Sequence, residues 1–218
     1  MKRIMFNDAM SLTKAAIDGR KTQLRVVLRP QPDYSEKRGI VWKHRSFGLD
    51  LWGTQEGACA NFIHDVNHEK SHSIPFHKGD ATAVAQCYKS LYELDQIKFG
   101  QMVDFSTSVG WKNKGAVEAS LMPYVAEILS MSLQRLQNIT EEEILAEGVT
   151  KQDTHSGLCL YLVSSADHVH DFSTSDWREA AEIFFDRKLG KGTWKDNPWV
   201  LVYRLKIIEN KEYAGNKF

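Results

Sequence analysis

The chain has 218 residues, with 28 basic and 28 acidic side chains and no net formal charge, which excludes a globally basic nucleic-acid binder. Hydrophobic residues make up 42% and charged residues 26%, too apolar a mixture for a disordered chain. No stretch of about 18 apolar residues is present, so no transmembrane helix and no membrane partner is expected.

At the N-terminus Asp8 arrives before an apolar signal region can form. The three cysteines, Cys59, Cys87 and Cys159, are odd in number and widely spaced, so no disulfide framework is expected. Both features predict a cytoplasmic protein. Residues 8–18 carry apolar side chains at 9, 12, 15 and 16, which predicts a short amphipathic helix ended by Gly19. Gln23–Arg29 reads as a strand stopped by Pro30-Gln31-Pro32. Residues 33–75 are irregular and read as an insertion. Strands are predicted over 81–88, near 101–106 and over 126–136.

Thr140-Glu141-Glu142-Glu143 has the form of a capping box and predicts a helix to Glu147, stopped by Gly148. Residues 150–175 form a second ambiguous stretch. Asp176 begins the clearest helix, which runs to Leu189-Gly190, and Trp199–Ile208 is the clearest strand. Short strands joined irregularly, with a few helices, predict an α+β fold around a small barrel rather than βαβ repeats.

Several constellations bear on chemistry. His64, His68 and His72 recur at four-residue spacing, but the surrounding polar residues and Pro75 favour a solvated loop over a metal site. No metal and no cofactor is predicted. Cys87 falls in an apolar strand and reads as core rather than nucleophile. Gly19–Arg25 packs Arg20, Lys21 and Arg25 with Thr22 into a helix-to-strand junction, within a stretch where residues 1–50 carry 11 basic and 5 acidic side chains. Such a cluster is a plain surface turn, a phosphate site, or a setting in which a desolvated lysine acts as base or nucleophile.

Taken in order, these segments resemble the ASCH family of the PUA-like superfamily, most closely its phage and prophage members. The family's G-x-K-T-x-T-x-R block stands here as Gly19-Arg20-Lys21-Thr22-Gln23-Leu24-Arg25-Val26, followed by Pro30-Gln31-Pro32. Phe76-His77-Lys78-Gly79-Asp80, Met122-Pro123, Arg135–Thr140 with Glu147-Gly148, and Gly190–Val200 match its later blocks. Residues 33–75 and 150–175 match poorly, as insertions would.

The resemblance implies one PUA-like domain over residues 1–218: a small β-barrel with flanking helices, and a cleft between them that binds RNA or a modified nucleotide. Ligand-binding residues carried over are Arg20, Lys21, Thr22, Arg25 and Glu147. Some relatives hydrolyse N4-acetylcytidine with a threonine, a lysine and a glutamate, which makes Lys21 and Glu147 the catalytic candidates here. The threonine falls on Leu24, which has no hydroxyl, and Val26 replaces an arginine common in the phage type. Binding is therefore favoured over the alternatives, an amidohydrolase or weak nuclease using Lys21 and Glu147, or a module that contacts another protein. A Lys21–Glu147 pair serves either as a polar base-binding and proton-transfer unit or as a structural ion pair. Trp194, Asn197 and Trp199 are expected in packing and turn formation rather than stacked on a base.

Overall fold

The computed structural model describes residues 1–29, 31, 33–35, 39–43, 50–51, 75–93, 107–155 and 157–210. Its main element is a five-stranded sheet built from β1 (Lys2–Ile4), β2 (Gln23–Val27), β6 (Ala81–Val84), β7 (Tyr124–Arg135) and β11 (Trp199–Glu209), in the order β1-β6-β7-β11-β2. β1 runs parallel to β6, and the remaining pairs are antiparallel. The predicted strands beginning at 23, 81 and 199 thus share one continuous sheet. Two three-stranded antiparallel sheets complete the strands: β3 (Asp33–Ser35), β4 (Gly39–Lys43) and β5 (Asp50–Leu51), and β8 (Thr150–Asp153), β9 (Cys159–Val163) and β10 (Phe172–Thr174). The fold is α+β. Both stretches read from sequence as irregular therefore contain ordered strands.

β7 and β11 pair along nearly their whole length, with a register shift between Arg204 and Leu205 that leaves the exposed Leu129 as the extra residue of a bulge. Trp199–Tyr203 is buried on both faces of the strand, after which Arg204 and Lys206 turn outward around the buried Leu205. The helix Trp177–Leu189 buries Ala180, Ala181, Phe184 and Phe185, and Phe185 stacks on Trp194 at 6.1 Å. Its start is fixed by Asp176, whose carboxylate accepts from Arg178 N–H at 2.8 Å.

Several boundaries differ from the sequence reading. The first helix is broken at Ser11, in left-handed conformation with φ 54°, so that a 3-10 turn at Asp8–Met10 precedes a helix only at Leu12–Ile17. β2 stops at Val27, where the Gln31 amide takes over the pairing: it donates to the carbonyls of Leu28 (2.7 Å) and Trp199 (3.1 Å) and accepts from Trp199 N–H (2.7 Å). β6 ends at Val84 because a helix begins at Tyr88, which leaves Cys87 half-buried between the two, 3.1 Å from Ser90 Oγ, rather than in a strand. The strand expected near 101–106, the histidines at 64, 68 and 72, Cys59 and the tail from 211 lie outside the described residues.

Candidate functional site

The site forms where β2, the helix Glu141–Ala146 and the end of the helix Trp177–Leu189 meet. Along β2 the alternation of a strand sends Gln23 and Arg25 inward, while Leu24 and Val26 are half-buried on the other face. Lys21, two residues before the strand begins, is tied down by its own N–H to Ala15 carbonyl (2.9 Å). Thr22 N–H donates to Ala146 carbonyl and Thr22 carbonyl accepts from Leu205 N–H, both at 2.8 Å. On the opposing side the helix at 141–146 starts from the predicted capping box, with Thr140 and Glu143 bonding reciprocally. It ends at Glu147, and Gly148 follows with φ 115°. A β-carbon on Gly148 would stand 3.0 Å from Leu12 Cδ2 and 3.8 Å from Lys21 Cβ, so this position keeps the two segments in close approach.

Lys21 and Glu147 are fully buried and Arg25 nearly so. Lys21 Nζ donates to Glu147 Oε2 (2.8 Å), to the Glu147 carbonyl (2.9 Å) and to the Gln23 carbonyl (2.6 Å). Arg25 donates to Glu147 Oε1 (3.1 Å), Gln23 Oε1 (2.9 Å) and Glu143 Oε2 (2.8 Å). Lys188 Nζ reaches Glu147 Oε2 at 2.7 Å. Three cations therefore converge on two carboxylates, a surplus of one positive charge. Arg25 Nε, buried, has no hydrogen-bond partner among the described residues.

Burial pulls the Lys21 ammonium down to about 7, against the opposing pull of Glu147 and with help from Lys188 and Arg25. Burial pushes the Glu147 carboxyl up, but Lys188, Lys21 and Arg25 outweigh it and hold the group well below the usual carboxylate range. Three acceptors around one nitrogen match the three N–H groups of an ammonium, so the hydrogen bonding works to keep the proton that burial works to remove. In its protonated form Lys21 has every N–H committed and no lone pair for nucleophilic attack.

A cavity of about 350 Å³ opens beside this cluster. Phe6, Leu12, Leu24 and Val26 supply apolar wall, and Lys21, Arg25, Arg29 and Lys188 supply cationic wall. Arg29 is exposed and no carboxylate among the described residues pairs with it. Glu147 is not part of the wall.

The main chain of β2 adds a feature of its own. The bonds from Leu205 N–H to Thr22 carbonyl and from Leu28 N–H to Trp199 carbonyl fix the phase of the β2–β11 ladder, so Leu24 and Val26 exchange bonds with β11. Gln23, Arg25 and Val27 then present their N–H and C=O groups to the free edge, and β2 has no second neighbour among the described strands. Lys21 takes the Gln23 carbonyl. The main-chain groups of Arg25 and Val27, both residues of the cavity wall, bond to no group among the described residues.

Of the residues expected from sequence, the structure brings Lys21, Arg25 and Glu147 together. Arg20 and Thr22 are exposed, Arg20 turned to Asp18 (3.6 Å) and to Thr150 (3.4 Å). Trp194 and Trp199 are buried in packing, Trp199 under the Arg135 guanidinium at 4.7 Å, and Asn197 makes a left-handed turn whose Oδ1 accepts from Gln137 N–H. Sequence reasoning missed Gln23, Glu143, Lys188 and Arg29. Glu143 was visible as the capping residue, but nothing local indicated that its capping oxygen, Oε2, also reaches Arg25. Among the described residues no three His, Cys, Asp or Glu side chains group to hold a metal. No helix among them is long and apolar enough to cross a membrane. No family model, curated protein or solved structure matches the chain.

Proposed function

We propose that this chain is a PUA-like domain of the ASCH type, its sheet and helices forming the family's small barrel, and that it binds a nucleotide or a short single-stranded RNA in the cavity beside β2. The observation that carries this reading is the main-chain edge of Arg25 and Val27, unpaired among the described residues, in a cavity with surplus positive charge. The Arg25 carbonyl and the Val27 N–H form an acceptor–donor pair that suits the hydrogen-bonding edge of a nucleobase. Leu24, Val26 and Phe6 offer apolar surface to the base faces, and Arg29, which pairs with no carboxylate among the described residues, offers its guanidinium to a phosphate. Binding is favoured over hydrolysis because Lys21 has all its protons engaged and Leu24, on the same wall, carries no nucleophile.

A chain without net charge engages few phosphates. With two or three cations in contact, the slope of log K against log salt is expected at about −1.5 to −2 for single-stranded RNA. Calorimetric titration over a series of salt concentrations tests this, with Arg29→Ala expected to weaken binding and flatten the slope by about 0.7. Absence of binding, or an Arg29→Ala variant with unchanged affinity and slope, contradicts the proposal.

A further inference from the structure

A second cavity, of about 420 Å³, adjoins the first. Asn7 belongs to the walls of both. So does the end of the helix Trp177–Leu189, which gives Arg187 to the second cavity and the next residue, Lys188, to the first. The rest of the second wall comes from residues 164–167 and His170, within the stretch where the chain departs from the family it resembles. This wall is fixed to the N-terminal segment by the Ala166 N–H bond to the Ala9 carbonyl at 2.9 Å.

We infer that the ligand strand continues past Asn7 into this second cavity, so that the preferred ligand is an oligoribonucleotide of at least two residues rather than a mononucleotide. The inference rests on the nucleotide reading of the first cavity. Each space is of a size that holds one nucleotide. Arg187 is the cation of the second: its NH1 is anchored on the His170 carbonyl at 2.7 Å, and the rest of its fork, engaged by no group among the described residues, faces a phosphate. Asp167 faces the same space and opposes an anion, since the bonds it accepts from Ser165 Oγ (2.7 Å), His170 Nδ1 (2.9 Å) and Val169 N–H (3.1 Å) keep its carboxylate ionised and also fix it in place. Ser165 bonds Asp171 as well, which holds the loop closed on itself. The phosphate between two residues therefore belongs at the Arg187 side of this wall, away from Asp167.

The test titrates the full chain with the four ribonucleoside 5′-monophosphates and with the matching 5′-phosphorylated homodinucleotides. The best dinucleotide is expected to bind about tenfold more tightly than its monophosphate, the gain of one charge-assisted contact. Arg187→Gln removes the charge and the guanidinium fork; it should erase that gain and leave the monophosphate affinity unchanged. His170→Ala, at a side chain 74% exposed, strips Asp167 of the ring that bonds it at 2.9 Å and should likewise reduce the gain, without disturbing the helix. Monophosphate binding with no gain for the dinucleotide overturns this inference and leaves the nucleotide reading standing. A gain that survives both substitutions also overturns it. No binding of any probe overturns the nucleotide reading itself, and this inference with it.

Discussion

Lys21 Nζ lies 2.8 Å from Glu147 Oε2, a contact between residues 126 apart in the chain that closes with both side chains fully shielded from water. Burial on this scale means that removing one partner costs more than the pair contributes. Glu147 is the hub, since it alone meets Lys21, Arg25 and Lys188. Glu147→Gln should therefore destabilise the fold by about 3–5 kcal/mol, because it leaves three cations facing a neutral amide. Lys21→Met leaves Glu147 with two cationic partners and should cost less. Urea denaturation of both variants and of the double variant checks this, and the double should fall well short of the sum. Equal single costs that simply add would contradict the hub.

The same cluster predicts how stability varies with pH. Burial lowers Lys21 to about 7 in the folded chain against its ordinary 10.5, so between these values the unfolded chain holds more protons than the folded one. Stability from this group therefore rises as pH increases through that window. Glu147, held below its ordinary 4.5, contributes stability that is complete above that value and lost as pH falls below it. The denaturation midpoint of the wild type relative to Lys21→Met should climb between pH 7 and 10. Parallel curves would contradict a lysine depressed by burial.

Glu143 joins helix initiation to the site. Its Oε2 accepts from Thr140 N–H at 3.3 Å and from Arg25 at 2.8 Å. Thr140→Ala removes only the cap and should cost about 1 kcal/mol. Glu143→Ala also strips a carboxylate from Arg25 and should cost roughly 2–3 kcal/mol. Equal losses in thermal or chemical denaturation would mean that the Arg25 contact contributes nothing.

What the sequence made legible was local. The capping box at Thr140, the Asp176 cap and the apolar run from Trp199 are each decided by residues within one or two turns, and each appears where expected. The break at Ser11 was not legible, because a single left-handed residue leaves the apolar spacing of residues 9–16 intact. Pro30-Gln31-Pro32 signalled a strand end, but the Gln31 amide completing the pairing with Trp199 depends on a residue 168 positions away. The convergence of Lys21 and Glu147 was reachable only through family resemblance, since no periodicity connects them. The free edge of β2 was invisible for a stricter reason. Which main-chain groups face outward depends on ladder phase, and a shift by one residue exchanges them.

Hydrolysis supplies a negative expectation. Attack on an N-acyl amide needs an oxygen held about 3–3.5 Å from the carbonyl and a base free to take its proton. Leu24 offers no oxygen, and Lys21 is saturated with acceptors. The wild type should not deacetylate N4-acetylcytidine measurably by chromatographic assay, and Leu24→Thr is the substitution expected to raise the rate. Efficient turnover by the wild type that is lost in Lys21→Ala would reverse the preference for binding over catalysis.

The most direct measurement of the central claim is an amide-resolved NMR titration of the full chain with the four ribonucleoside 5′-monophosphates. If the free edge of β2 receives the base, the Val27 amide, which donates to it, and the Val26 amide, which shares its peptide group with the Arg25 carbonyl, should show the largest shifts, well above that of Leu24, whose N–H is bonded to β11. Shifts centred away from β2, or a chain unmoved by any of the four, would contradict the account.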